Sequence, residues 1–273
     1  MFHRYGETAL SSETKDKKEN KAMTTYSNDE EQIHKVLHIH HEHVRQKYVP
    51  VMTVLVGSQN YGLATARSDY DTFTFVMPSI ADIATLATPV STTHEDEYGH
   101  IDIKDIRWAL NLLRKTSPNS VECFAGQYHI IDPAFTPYLA SISPITLRCN
   151  THHMMAAIGG LAHQLTKRNM TPGKRLSHII RMECMIDNYF DMDPNMPMST
   201  ILTLDSDRLR LAREAKADPN NPAWDEQCSM HEQIVQDKIQ HADMTKFAPY
   251  EAIANQTITH VAEQFVTHLF AHE

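Results

Sequence analysis

Apolar and polar residues follow helical and strand-like patterns in the first half of the chain. From residue 29 to residue 48 the apolar residues recur at helical spacing, and Pro50 ends that pattern. Three strands are predicted after it, over residues 51–56, 72–77 and 100–106. The first strand is almost wholly apolar or β-branched, as in a buried central strand, whereas the other two alternate. Residues 79–99 are expected to connect the second and third strands as helix and loop.

Beyond about residue 145 the strand patterns stop and helical periodicity dominates. Short helices are predicted over residues 108–114 and 120–124, and longer ones over 151–169, 172–191, 206–217, 228–241 and 249–272. We therefore expect an α+β chain in three parts. These are a disordered tail (1–28), a domain with a mixed sheet (29–145) and an all-helical C-terminal domain (146–273).

Composition narrows the class of protein. Hydrophobic residues make up 41% of the chain and charged residues 22%, which is typical of globular proteins. No apolar run has the length of a membrane span, and the charged N-terminus argues against a secretory signal. The four cysteines are far apart, so reduced thiols in a cytoplasmic protein are expected. A net charge of −9 argues against a non-specific polycation for nucleic acid, although a local basic face remains compatible with it.

The most informative stretch follows the first predicted strand. The strand ends at Gly57-Ser58, where glycine permits close approach of a ligand and a helix N-terminus with a serine hydroxyl attracts phosphate. The next strand opens with Asp69 and Asp71, and residues i and i+2 of a strand point to the same side. Two carboxylates that close repel each other unless a divalent cation lies between them. The stretch therefore predicts a site for a metal-bound phosphate.

A third carboxylate is expected on the strand over residues 100–106. Asp102 alternates with Ile101 and Ile103 and so faces away from the core at that point. A neighbouring strand would bring it beside Asp69 and Asp71. The alternative is Asp105, which is less cleanly out of phase with the apolar positions. Three carboxylates with a triphosphate form a two-metal site, in which Mg²⁺ or Mn²⁺ is expected.

Positive charge is concentrated in the middle of the chain. Between residues 151 and 182 there is no acidic residue, and Lys174, His178 and Arg181 fall at i, i+4 and i+7 on one face of a helix. Such a face is expected to bind the triphosphate or the acceptor, with little contribution to folding because exposed cations stabilise weakly. The alternative is a solvated cationic face.

Histidines are frequent in residues 34–43. His34, His38 and His41 share a helical face at a spacing that metal ligands can have. Because no cysteine accompanies them, we favour a cluster of surface histidines over a zinc site.

The motifs together carry a family resemblance. A hydrophobic strand, Gly57-Ser58, ten further residues, an Asp-x-Asp pair and a later strand aspartate resemble the DNA polymerase beta superfamily of nucleotidyltransferases. The fuller form is similar to a subgroup of predicted nucleotidyltransferases of bacteria and phages, and it comprises Gly57-Ser58, Tyr61-Gly62 and Ser68-Asp69-Tyr70-Asp71. In that subgroup a Pro-Asn turn matches Pro118-Asn119, and a segment with lysine, histidine and arginine matches residues 173–181. Thr72 and Ser117 depart from the usual residues, but neither departure removes a ligand.

The resemblance implies an activity and a set of roles. The implied reaction is transfer of a nucleoside monophosphate from a nucleoside triphosphate to a hydroxyl, with Mg²⁺ or Mn²⁺. Asp69 and Asp71 would bind both metals, Asp102 the catalytic one, and Gly57 and Ser58 the terminal phosphates. RNA, especially a tRNA end, is the acceptor we expect. A protein acceptor, a small-molecule acceptor and a catalytically inactive nucleotide- or RNA-binding module remain alternatives. No membrane partner is expected.

Overall fold

The strands form a single mixed sheet. The computed structural model describes residues 30–66 and 68–272, so the predicted disordered tail lies outside the described residues. The strands are β1 (Val49–Leu55), β2 (Thr72–Met77), β3 (Ser91–Glu95), β4 (His100–Asp105) and β5 (His129–Ile131). Their order in the sheet is β3-β4-β2-β1-β5, in which β2 and β4 are parallel and the other neighbours are antiparallel. The mixed sheet and the α+β class are thus confirmed.

Helices surround the sheet and make up the rest of the fold. They are α1 (Glu30–Arg45), α2 (Ile80–Ala84), α3 (Ile106–Lys115), α4 (Pro118–Ala125), α5 (Thr136–Leu139), α6 (Thr151–Lys167), α7 (Pro172–Asp191), α8 (Ser206–Ala217), α9 (Ala223–His241) and α10 (Ala248–His272). In the described part of the chain, no helix has the length and apolar character needed to cross a membrane. All four cysteines are buried and none forms a disulfide.

The two edge strands were not predicted. β3 lies in the stretch expected to be helix and loop, and all five of its side chains are exposed. It pairs with β4 alone, so backbone hydrogen bonds hold it and no alternating apolar face is needed. β5 spans only three residues and pairs with β1. The prediction for residues 79–99 was therefore wrong at this strand, because an exposed edge strand leaves little hydrophobic pattern.

Helix α1 covers one face of the sheet. Its buried Ile33 and Leu37 pack with Leu55 of β1, and Val44 packs with Val76 and the isoleucines of β4. The side chains of Ile101 and Ile103 thus point toward α1, as the alternation predicted. Because neighbouring residues of a strand point to opposite faces, Asp102 points to the other face.

The expectation of surface histidines was wrong for part of α1. His40 and His41 are buried, and their Nδ1 atoms lie 2.8 Å from Thr72 Oγ1 and 3.0 Å from Thr53 Oγ1. Hydroxyl groups of the sheet replace the water that these rings would otherwise contact. Burial is the largest influence on both rings and lowers the pKa of each.

The opposite face of the sheet is covered by the helical part of the chain. Phe75 of β2 stacks on Phe124 of α4 with ring centroids 5.9 Å apart. The hydrophobic core on this side is continuous from Val51 of β1 to Phe265 of α10. The helices after Ile131 therefore pack directly on the sheet domain, and the division at residue 145 stays a prediction.

Candidate functional site

A sharp turn after β1 forms the first part of the candidate site. Gly57 has φ +84°, a left-handed conformation that costs other residues energy because of their Cβ atom. A 3₁₀ helix spans Gly57–Tyr61, and Gly62 ends it with φ +63°. The Gly57 N–H donates to Glu122 Oε1 over 2.7 Å, so α4 holds this turn in place. The amide of Gly57 is consequently engaged by a carboxylate of the protein itself.

Asp69 and Asp71 lie beside this turn, in the segment just before β2, so the strand does not begin with them as predicted. The Val56 N–H donates to the Asp71 carbonyl over 2.9 Å, which fixes Asp71 against the end of β1. The Oδ2 atom of Asp71 lies 4.0 Å from the position that a Cβ on Gly57 would occupy. Its Oδ1 atom accepts from the His100 backbone N–H over 3.1 Å and lies 3.2 Å from His100 Nδ1. The hydrogen bond between the two side chains raises the pKa of His100.

The structure distinguishes the two candidates for a third carboxylate. Asp102 lies opposite Phe73 in the parallel pairing, and its carboxylate accepts a hydrogen bond from Thr93 Oγ1. It is therefore a diagonal neighbour of Asp71 on the same face of the sheet. Asp105 is buried on the other face, where it accepts from Arg107 N and forms an ion pair with the Arg107 guanidinium. Asp105 thus caps α3 and pairs with Arg107, whereas Asp102 lies on the face of the sheet that carries Phe73.

Helix α7 closes the site from the helical side. A cavity of about 430 Å³ lies between the sheet edge and α7. The predicted residues that line it are Gly57, Ser58, Asp69, Asp71, Lys174, His178 and Arg181. Asp102 lies outside this lining. Seven predicted residues from two distant segments of the chain, 57–71 and 174–181, thus line one cavity, with the carboxylates on the sheet side and the cations on the helix side.

The three predicted residues of α7 differ in their surroundings. Lys174 is exposed, whereas Arg181 is buried. Arg181 Nη2 donates to both oxygens of Glu122 over 3.1 Å, and its guanidinium lies 3.8 Å from the centre of the Tyr61 ring. The expectation that these cations are exposed and contribute little to folding is therefore wrong for Arg181. Its acidic partner comes from α4, which the charge count over residues 151–182 did not include.

His178 is a neutral ring in this site. Burial, followed by the positive charges of Arg181 and Lys174, lowers the pKa of His178 to about 3. Arg181 Nη1 lies 3.4 Å from His178 Nδ1, and because arginine only donates, this nitrogen is the acceptor. The proton of the neutral ring is then on Nε2. His178 offers a hydrogen-bond donor to the cavity and no positive charge.

Three residues in or beside the site, Lys216, Arg213 and Glu122, were missed by the sequence analysis. Lys216 of α8 lines the cavity, and its Nζ donates to the Leu63 carbonyl over 2.7 Å. Burial and the cations Arg181 and Lys174 lower its pKa to about 8. Arg213, one turn earlier, donates to the Gly62 carbonyl, so hydrogen bonds from α8 hold the loop after the 3₁₀ helix in place. The available signal in the sequence was the spacing of Arg213 and Lys216, which places both cations on one face of a helix. Glu122 gave no such signal.

The donor set is compatible with a magnesium site. Within the described residues, no group of three or more His, Cys, Asp or Glu side chains is close enough to hold a metal ion. Mg²⁺, however, is commonly bound by one or two carboxylates together with phosphates of the substrate. Asp69 and Asp71, which line one cavity with several cations, fit a metal ion that arrives with a nucleotide.

The mixed sheet followed by helices is consistent with a polymerase beta-like domain and an appended helical part. Comparison with protein families identifies the particular group. The sequence model of RlaP, described as the RNA repair pathway DNA polymerase beta family, matches residues 29–246, which include every predicted site residue. The chain belongs to this family. No curated protein matches it.

Proposed function

We propose that the protein transfers a nucleoside monophosphate from a nucleoside triphosphate to a hydroxyl group of RNA. The observation that carries the proposal is the single cavity in which Asp69 and Asp71 face Lys174 and Lys216. Carboxylates on one wall and cations on the other suit a polyphosphate that brings a divalent cation with it. The family description, RNA repair pathway, supports RNA as the acceptor.

Different side chains of the cavity are assigned to different contacts with the nucleotide. Ser58, Lys174 and Lys216 are assigned to the terminal phosphates, because a hydroxyl and two amines offer the donors that phosphate oxygens require. Neutral His178 donates from Nε2 without adding charge. Arg181 positions the Gly57 turn through Glu122, and its contact with the nucleotide is limited to the part of the guanidinium that lines the cavity.

The three aspartates are assigned to metal binding. Asp69 and Asp71 would hold both ions and Asp102 the catalytic one, and Mg²⁺ or Mn²⁺ bound there would neutralise phosphate charge and lower the pKa of the attacking hydroxyl. Asp102 is partly exposed and lies outside the lining of this cavity, so the acceptor hydroxyl is expected to approach at Asp102.

The test is transfer of label from a triphosphate labelled at its α-phosphorus. The protein is incubated with each of the four labelled triphosphates, Mg²⁺ and total cell lysate, and the products are treated with ribonuclease or protease. We expect label that ribonuclease removes and protease leaves. Label that only protease removes would assign a protein acceptor, and absence of both label and pyrophosphate would contradict the transfer itself.

A further inference from the structure

A second cavity adjoins the one that holds the aspartates. It has a volume of about 340 Å³ and shares Gly57, His178 and Arg181 with the first. The two spaces therefore meet at the turn after β1 and at the buried end of the α7 face. Their volumes lie in the range of single small-molecule pockets. One extended ligand can occupy both.

The walls of the second cavity differ in character from those of the first. Phe73 of the sheet, Leu161 and Leu165 of α6 and Met182 of α7 provide apolar surface. The first cavity is lined mostly by hydroxyls, carboxylates and cations. A ligand with its charge at one end and a largely apolar body at the other suits the two cavities together.

Polar groups stand at the rim of this apolar space. Asn119 at the start of α4 and Arg168 after α6 are both exposed and line the cavity. The asparagine amide has donors and an acceptor in one plane, and the guanidinium has donors only. A nucleobase has apolar faces and an edge of donors and acceptors, which suits apolar walls with polar groups at the rim.

We propose that the second cavity receives the nucleobase and ribose of the triphosphate whose phosphates occupy the first. The inference rests on the proposed function and adds the side chains that select the nucleotide. Phe73, Leu161 and Leu165 contact the base, Asn119 and Arg168 contact its edge, and His178 lies where ribose and phosphates meet. The competing occupant is the terminal nucleoside of the acceptor RNA.

The experiment compares ligands with and without a base. Leu161 is only partly buried, so Leu161→Trp fills the cavity with little overpacking of the core. Binding of inorganic tripolyphosphate and of each of the four nucleoside triphosphates is measured by calorimetry in Mg²⁺. The variants are Leu161→Trp, Asn119→Ala and a control, Leu86→Trp, at a position that is 88% exposed.

Leu161→Trp is expected to weaken nucleoside triphosphate binding by about tenfold or more, a change of about 1.4 kcal/mol, and to leave tripolyphosphate binding unchanged. Asn119→Ala is expected to change the ranking of the four triphosphates. Unchanged triphosphate binding in both folded variants would overturn the inference. It would also be overturned if the variants raised only the KM for RNA in the transfer assay, because that result would assign the space to the acceptor. If the wild type binds neither tripolyphosphate nor any triphosphate, the proposed function fails with it.

Discussion

Replacing Glu122 with alanine removes the carboxylate that joins the turn after β1 to Arg181. In the native protein this carboxylate accepts from Gly57 N over 2.7 Å and from Arg181 Nη2 over 3.1 Å. The Arg181 side chain is 7% exposed and that of Glu122 is 13% exposed. Glu122→Ala therefore leaves a buried guanidinium without its counter-ion. The guanidinium is stacked on the Tyr61 ring, and only a small part of it is exposed in the cavities that Arg181 lines.

The expected magnitude follows from this burial. Removing one partner of a buried ion pair costs about 3–5 kcal/mol. One kcal/mol lowers the Tm of a chain of about this size by about 2–4 °C, so Glu122→Ala should lower the Tm by about 6–20 °C. The matched control is Glu214→Ala, which removes the partner of Arg210 on the exposed side of α8. Its cost should be about 0–1 kcal/mol.

Thermal and urea unfolding of the two variants measure the difference. A third variant that combines Glu122→Ala with Arg181→Met removes both buried charges and should be more stable than Glu122→Ala alone. The reasoning is refuted if Glu122→Ala unfolds like the Glu214→Ala control. It is also refuted if the double variant loses at least the sum of the losses of Glu122→Ala and of Arg181→Met, each measured alone, because the charges would then be uncoupled.

Three further predictions concern the cavity. Lys216 has a pKa of about 8 and only its protonated amine attracts phosphate, so triphosphate affinity should fall as pH rises through 8. Lys216→Arg should flatten that fall, and an unchanged pH profile in the variant would contradict this role of Lys216. Gly57→Val should cost about 1–3 kcal/mol of stability from strain at φ +84° and should weaken triphosphate binding, whereas Gly160→Ala, with open space around the new Cβ, should do neither. Lys174→Ala should weaken triphosphate or RNA binding with an unchanged Tm. If RNA binding is affected, the slope of log binding constant against log salt concentration should flatten by about 0.7–0.9, and unchanged binding of both ligands would make Lys174 a solvated residue.

The sequence indicated the elements that bury a hydrophobic face. The alternation over residues 72–77 predicted β2 with the correct bounds, and the placement of Asp102 followed from its phase against Ile101 and Ile103. β3 was missed because hydrogen bonds to β4, rather than apolar burial, hold its exposed side chains in place. Periodicity therefore predicts strands that contribute to the core better than strands at an edge.

The site was predictable where neighbouring residues define it and unpredictable where distant ones do. Asp69 and Asp71 are only two residues apart and line the same cavity. The pairing of Arg181 with Glu122 joins residues 59 positions apart, and Lys216 reaches the cavity only because α8 packs against the loop at Leu63. Those contacts depend on tertiary packing, which the charge pattern of a single segment does not contain.

The most direct test of the central claim is nucleotide transfer by Asp71→Asn. Asparagine keeps an oxygen that can accept from the His100 N–H but removes the charge assigned to metal binding. Asp207→Asn, at a side chain that is 89% exposed on α8, is the matched control. With labelled triphosphate, Mg²⁺ and RNA, we predict that Asp71→Asn transfers at least about 100-fold more slowly than the wild type at an unchanged Tm, and that Asp207→Asn transfers normally. Transfer by Asp71→Asn at the wild-type rate would contradict the assignment of this cavity as the active site.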